Sequence, residues 1–155
     1  MKYLAVKIFW FFVNPIKKFY WFMVRPQTRG VKCLVENNGK LLLVKLNYAH
    51  HKWTFPGGGV GKKESFLDAA IRETKEEAGF NVTNLSYVGF YKTNREYKED
   101  TVEIYLATTD ISEVKVDPIE IEEAKWFERS NFPENRSPAV DKILKIYDEY
   151  RSKSN

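Results

Sequence analysis

Hydrophobic residues fall in short runs along most of the chain, and runs of this length predict strands. The first three predicted strands cover residues 31–36, 41–46 and 53–55. The second run is apolar almost without interruption, which is typical of a central strand. Asn38-Gly39 separates the first two strands and predicts a tight hairpin, because these residues tolerate the positive φ angles of such a turn.

The second half of the chain predicts further strands and a final helix. The strands cover residues 82–92, 101–109 and 123–127, and charged loops are predicted between them at residues 93–100 and 115–120. Ser137-Pro138 begins the final helix, because serine and proline are both favoured at a helix start. The residues expected to face inward from this helix are Val140, Ile143, Leu144 and Tyr147.

Between the two groups of strands, the hydrophobic residues recur with the period of a helix. Ser65 is the predicted N-cap of this helix and Gly79 its end. One face carries a stripe of small and apolar side chains, namely Phe66, Ala70, Thr74 and Ala78. This stripe predicts that the helix packs against the sheet.

The last turns of the same helix carry three carboxylates, Glu73, Glu76 and Glu77, here called the acidic cluster. Their spacing of i, i+3 and i+4 places them on neighbouring turns, where like charges repel unless a cation lies among them. Arg72 can reach Glu76 at i+4. A hard divalent cation is the other solution, because carboxylate oxygens suit Mg²⁺ or Mn²⁺.

A glycine-rich stretch precedes the helix and can bring backbone close to a ligand. We call residues 55–59, Phe-Pro-Gly-Gly-Gly, the glycine loop. The residues that follow the loop have a fixed spacing, in the order Glu64, Arg72-Glu73, Glu76-Glu77 and Gly79. From Gly58 to Phe80 the chain therefore resembles the Nudix box, with Thr74 where that family more often has an aliphatic residue.

The resemblance implies a fold and an activity. The fold is an α/β/α sandwich (α+β) with a mixed sheet. The activity is hydrolysis of a pyrophosphate bond in a nucleoside diphosphate linked to another group, with Mg²⁺ or Mn²⁺ as cofactor. The expected partner is a nucleotide-type small molecule. Two alternatives stay open: a nucleotide-sensing module of the same fold without turnover, and a hydrolase associated with a membrane surface.

The resemblance also implies roles for individual residues. Glu73 is the first choice for the general base, Arg72 orients the carboxylates, and Glu64 braces the junction of loop and helix. A distal acid, metal ligand or base, is expected from the loop before the last strand; Glu120 is favoured over Glu122 and Glu123. The implied metal ligands are the Gly57 carbonyl, Glu73, Glu76, Glu77 and Glu120.

Three aromatic residues are predicted to bind substrate: Tyr48, Trp53 and Tyr97. Tyr48 and Trp53 lie near the glycine loop and offer rings for base stacking. The position of Tyr97 resembles that of a tyrosine found in dinucleoside-polyphosphate hydrolases of the family. Core packing is the competing interpretation for Trp53, and a solvated loop position is the competing one for Tyr97.

Charge and cysteine content narrow the partners and the compartment. The net charge of +4 arises in residues 1–35, which contain seven Lys or Arg and no acid. Residues 36–155 sum to −3, so the sequence predicts no specific nucleic-acid surface. Cys33 is the only cysteine and cannot form an internal disulfide. A reducing, cytoplasmic location is therefore expected.

The chain is predicted to divide into a basic, aromatic-rich helical extension, residues 1–28, and the Nudix-type domain, residues 29–155. Lys7, Lys17 and Lys18 interrupt the apolar residues of the extension, so no transmembrane span is predicted there. Two interpretations of residues 1–24 remain open. They pack on the domain or a second subunit, or they lie at an anionic membrane surface as a peripheral contact.

Overall fold

A computed structural model of the chain describes residues 27–47, 49–95, 98–116 and 118–154. The predictions for residues 1–24, Tyr48 and Tyr97 lie outside these residues. The predicted division of the chain after residue 28 stays a prediction as well, with the first described strand beginning at Gln27.

The described residues form six strands and two α-helices. The strands are β1 (Gln27–Asn37), β2 (Lys40–Leu46), β3 (Trp53–Thr54), β4 (Ser86–Arg95), β5 (Lys98–Thr108) and β6 (Ile121–Phe127). The helices are α1 (Phe66–Ala78) and α2 (Pro138–Ser154). Neither described helix has the length and hydrophobicity that crossing a bilayer requires.

The sheet is mixed, and its strand pairing leaves an opening next to β1. β1 runs parallel to β5 over ten residue pairs, and β4 pairs antiparallel with β5. β1 and β2 pair only at their hairpin end, where Asn38 and Gly39 have φ angles of 48° and 77°. β2 then pairs with β3 and β6 instead. The two halves of the sheet therefore splay apart beyond the hairpin, and the glycine loop enters the gap.

Each helix covers one face of the sheet, because the side chains of β1 alternate between the two faces. Val31 and Cys33 face α1, whose Ala70 and Ala78 lie in the same buried clusters. On the other face, Leu34 packs with Val140, Ile143 and Tyr147 of α2. The mixed sheet, with one helix on each of its faces, confirms the predicted α/β/α sandwich.

The predicted loop at residues 93–100 is wrong, because most of this charged stretch is strand. β4 continues to Arg95 and β5 begins at Lys98, with Thr93 paired to Asp100 and Asn94 to Glu99. Cross-strand pairing with β5 stabilises these polar residues in a conformation that hydrophobicity alone does not indicate. β4 also begins at Ser86 rather than residue 82, since Asn84 has a φ of 55°.

Cys33 lies at the centre of β1 and is completely buried. Burial raises the pKa of its thiol to about 12, although a hydrogen bond with Thr74 opposes this. Because the thiolate is the reactive form, we expect the native protein to resist Ellman's reagent and to release one equivalent only on unfolding in denaturant. Rapid stoichiometric reaction of the folded protein would contradict the burial of this strand.

Candidate active site

Helix α1 presents the acidic cluster because both of its ends are fixed by local sequence. Ser65 is the N-cap, and its Oγ accepts a hydrogen bond from the Asp68 N–H at 3.0 Å. At the other end, Gly79 has a φ of 80° and its N–H donates to the Lys75 carbonyl. The predicted start and stop of this helix are confirmed.

The glycine loop is held as an additional extended segment along β1. The Gly58 carbonyl accepts from the Val31 N–H at 2.9 Å, and the Pro56 carbonyl accepts from the Cys33 N–H at 2.9 Å. Gly57 has a φ of 137° in the middle of this segment. The loop is therefore a fixed backbone edge beside the last turns of α1, not a mobile connection.

Glu77 is the innermost member of the acidic cluster. Its side chain is buried, and its Oε2 accepts a hydrogen bond from the Gly57 N–H at 2.8 Å. Burial raises the pKa of this carboxyl to about 7, against the opposing effects of Lys32 and of the Gly57 hydrogen bond. The effect of burial on this carboxyl therefore outweighs that of the ammonium and the N–H beside it.

Arg72 connects the rest of the cluster to the loop. Its Nη1 donates to Glu73 Oε1 at 2.7 Å and to Glu76 Oε2 at 3.0 Å. Its Nη2 donates to the Gly59 carbonyl at 2.9 Å, and its Nε to Glu64 Oε1 at 2.7 Å. One guanidinium therefore sets the position of two cluster carboxylates relative to the backbone of the glycine loop.

Glu64 braces the junction between loop and helix, in the position that the sequence predicts. Besides Arg72, it accepts a hydrogen bond from the Gly61 N–H at 2.8 Å. The hydrogen bonds from Arg72 and Gly61 lower the pKa of Glu64 to about 2.

We expect the Glu64 carboxyl carbon to titrate by NMR near pH 2, and at a clearly higher pH in R72Q, where the Gly61 hydrogen bond still lowers the pKa. Its interaction with Arg72 is present above the unfolded-state pKa and is lost as the pH falls towards 2. A midpoint in the parent protein near that of exposed glutamates would contradict this network.

Lys32 is the cationic residue at this site that the sequence analysis missed. Its Nζ donates to the carbonyls of Phe55 and Gly57 at 2.8 and 2.9 Å. Desolvation lowers the pKa of this ammonium, while the charges of Glu77 and Glu73 oppose the shift. The available signal was a lysine inside an otherwise apolar strand, between the buried residues Val31 and Cys33.

Burial is the main cause of the raised pKa of Glu77, and the charge of Glu120 makes the smallest contribution to it. Glu122 instead binds Lys45 at 2.7 Å, and Glu123 pairs with Lys125. The role of Glu120 stays a prediction.

The aromatic predictions fare differently. Trp53 is 8% exposed and packs edge-to-face on Phe127, with ring centroids 5.0 Å apart. Its ring belongs to the core formed with α2, because β3 turns it inward. This placement does not support substrate binding by Trp53. Tyr48 and Tyr97 lie outside the described residues.

The donor set at this site fits a hard divalent cation. It consists of oxygen atoms alone, from the acidic cluster and the Gly57 carbonyl, and two of its carboxyls, Glu73 and Glu77, have pKa values raised by burial. The Gly57 carbonyl also accepts a hydrogen bond from the Lys32 ammonium at 2.9 Å. Within the described ranges, no group of three or more His, Cys, Asp or Glu side chains is arranged to hold a metal ion. Arg72 pairs with both Glu73 and Glu76.

Sequence comparison finds relatives in a yeast, in human and in a bacterium. The chain is 32% identical over 104 residues to the m7GpppN-mRNA hydrolase of Saccharomyces cerevisiae, covering 64% of this chain and 10% of that one. It is 32% identical over 93 residues to the human diphosphoinositol polyphosphate phosphohydrolase NUDT4B, covering 59% and 51%. YtkD of Bacillus subtilis, provisionally named an 8-oxo-dGTP diphosphatase, is 36% identical over 99 residues, covering 64% and 60%. The chain thus spans between 10% and 60% of these relatives.

Solved structures share the fold. The MutT NUDIX hydrolase of Burkholderia pseudomallei superposes with a TM-score of 0.71 at 24% identity, covering 77% of this chain and 97% of that one. The MutT protein of Methanosarcina mazei gives 0.71 at 22% identity, covering 85% and 98%. The family model described as NUDIX domain matches residues 26–149, which is most of the chain. The fold, the glycine loop and the acidic helix together show that this chain belongs to the NUDIX hydrolase family.

Proposed function

We propose that the chain catalyses Mg²⁺-dependent hydrolysis of a phosphoric anhydride bond in a nucleoside diphosphate derivative or nucleoside polyphosphate. The observation that carries the proposal is the placement of two carboxylates against the glycine loop. Glu77 Oε2 accepts a hydrogen bond from the Gly57 N–H at 2.8 Å, and the Glu73 carboxylate lies beside Gly58. Burial raises the pKa of both carboxyls. Stability alone does not favour two such carboxylates beside each other, whereas a site for a divalent cation requires them.

The relatives support the reaction class. Their names describe hydrolysis of an mRNA cap, of diphosphoinositol polyphosphates and, provisionally, of 8-oxo-dGTP. Anhydride-linked phosphates are common to the reactions these names describe. The same linkage is therefore the best-supported substrate for this chain.

The proposed ligands of the cation are the Gly57 carbonyl, Glu73, Glu76 and Glu77, with Glu120 as a further ligand or base. When bound, a divalent cation supplies neutralisation of the phosphate charge and activation of the attacking water. Arg72 holds Glu73 and Glu76 in place through Nη1. Glu77 remains tied to the loop backbone through the Gly57 N–H.

Glu73 is the proposed general base. Its Oε1 is engaged by Arg72, and within the described part of the chain its Oε2 makes no hydrogen bond. Oε2 is thus the atom that takes the proton from water. Burial raises the pKa of Glu73, which favours proton acceptance, and Arg72 limits that rise.

The test is a panel assay with purified full-length protein. Nucleoside triphosphates, nucleotide sugars, dinucleoside polyphosphates and diphosphoinositol polyphosphates are incubated with Mg²⁺ or with EDTA, and products are identified by ³¹P NMR. We expect cleavage of an anhydride bond in at least one class, dependent on Mg²⁺. Binding of nucleotides without turnover in every class would favour the sensing module instead.

A further inference from the structure

A cavity of about 570 Å³ lies on the sheet face covered by α2. It is lined by residues of all strands from β1 to β5 and by the first turn of α2. Among its described lining residues, four are basic or histidine: Lys32, His50, Lys52 and Lys142. Asp100 is the only carboxylate among them. The lining is therefore biased towards positive charge.

Among the described residues, no ion pair joins Lys52 or Lys142 to a carboxylate of the cavity. Lys142 Nζ lies 4.7 Å from the Tyr91 ring centroid and donates to the Lys92 carbonyl at 3.3 Å. Lys52 is half-buried and forms no ion pair within the described part of the chain. Lys142 is exposed and Lys52 is half-buried, and lysines that contact neutral groups alone retain their attraction for an anion.

Lys32 connects the cavity to the acidic cluster. It lines the cavity, and its Nζ binds the Gly57 carbonyl, while the N–H of the same residue binds Glu77. An anion that extends out of the cavity past Lys32 therefore arrives directly at the glycine loop. The positive end of the α2 helix dipole, at Ser137 and Pro138, adds to the attraction on the same wall.

A flat, neutral nucleobase is the competing occupant, and the contacts disfavour it. Tyr91 is the only aromatic ring among the described lining residues, and one of its faces is taken by the Lys142 ammonium. A base would have to displace this contact and would leave the lysines without a counter-charge.

We propose that this cavity is a polyphosphate subsite, in which Lys52 and Lys142 bind further phosphate groups of the substrate and Lys32 stands at the junction with the reacting anhydride. The inference rests on the proposed function and narrows it. The substrate class is a compound with a row of phosphates, rather than a diphosphate whose other side is neutral. Such a compound is either a dinucleoside polyphosphate or an inositol that bears several phosphate groups.

The first test measures binding of inorganic tripolyphosphate to metal-free, full-length protein by calorimetry. We expect the K52Q/K142Q double variant to bind at least about tenfold more weakly, because it loses two charge-assisted contacts. K145Q removes an exposed lysine from the same helix and should bind as the parent does. K52R/K142R retains the charges and should retain most of the binding, which separates loss of charge from damage to the fold.

The second test compares kcat/KM for diadenosine tetraphosphate, a diphosphoinositol polyphosphate and diadenosine diphosphate. In K52Q/K142Q we expect the ratio of a polyphosphate to the diphosphate to fall at least about tenfold. The polyphosphate for which the ratio falls shows whether the phosphates that occupy the subsite belong to a dinucleoside or to an inositol.

Unchanged tripolyphosphate binding and unchanged ratios in the double variant would overturn the subsite. If no anhydride is cleaved but the double variant binds tripolyphosphate weakly, the proposed function fails and the subsite stands.

Discussion

Replacing Glu76 with glutamine is expected to lower kcat/KM for anhydride hydrolysis at least about 100-fold while leaving the fold intact. The Glu76 side chain is 54% exposed, and its described polar contact is the hydrogen bond from Arg72. An exposed ion pair of this kind contributes little to stability. The loss should therefore appear in turnover and in Mg²⁺ dependence, measured by phosphate or nucleotide release, and not in the urea midpoint.

Glu149 provides the matched control, because it is an exposed glutamate on α2, away from the cluster. E149Q should turn over substrate as the parent does. If E76Q were as active as E149Q, Glu76 would have no part in holding the cation. If E76Q instead unfolded at much lower urea, its contact with Arg72 would be structural rather than functional.

Replacing Gly57 with alanine is expected to lower the free energy of unfolding by at least about 3 kcal/mol or to prevent folding. Its φ of 137° is unfavourable for any residue with a Cβ, and that Cβ would lie 2.1 Å from the Val31 carbonyl oxygen. The neighbouring backbone of β1 cannot move away without breaking its pairing with β5. Urea denaturation followed by circular dichroism measures the effect.

Gly59 is two residues away and gives the control for this prediction. An alanine Cβ at that position would meet nothing within 4 Å, so we expect G59A to change stability by no more than about 0.5 kcal/mol. Equal stability of G57A and G59A would show that the glycine loop is not fixed against β1 as described.

The sequence predicts α1 and its surroundings well because the constraints there are local. A serine cap, a stripe of small residues and a glycine end act within one helix, and the hairpin at Asn38-Gly39 depends on only two φ angles. The spacing of the acidic cluster likewise fixes its side of the helix. The spacing does not predict how deeply each carboxylate is buried. Glu77 is buried while Glu76 is exposed, and only packing against the glycine loop decides this difference.

The remaining misses involve contacts between distant segments. Lys32 becomes part of the site because β1 and β2 splay apart and admit the glycine loop, which is a property of the sheet. The charged residues after Thr93 become strand through pairing with β5. Trp53 enters the core because β3 pairs with the inner strand β2. The local pattern of hydrophobic residues predicts none of these contacts.

The most direct test asks whether the acidic end of α1 binds divalent cations at all. Mn²⁺ is titrated into metal-free protein and the free ion is followed by electron paramagnetic resonance, for the parent, for E149Q and for a variant with Glu73, Glu76 and Glu77 all changed to glutamine. We expect saturable binding by the parent and E149Q, and its loss in the triple variant. Binding that is equally strong in the triple variant, or absent from the parent, would contradict the account.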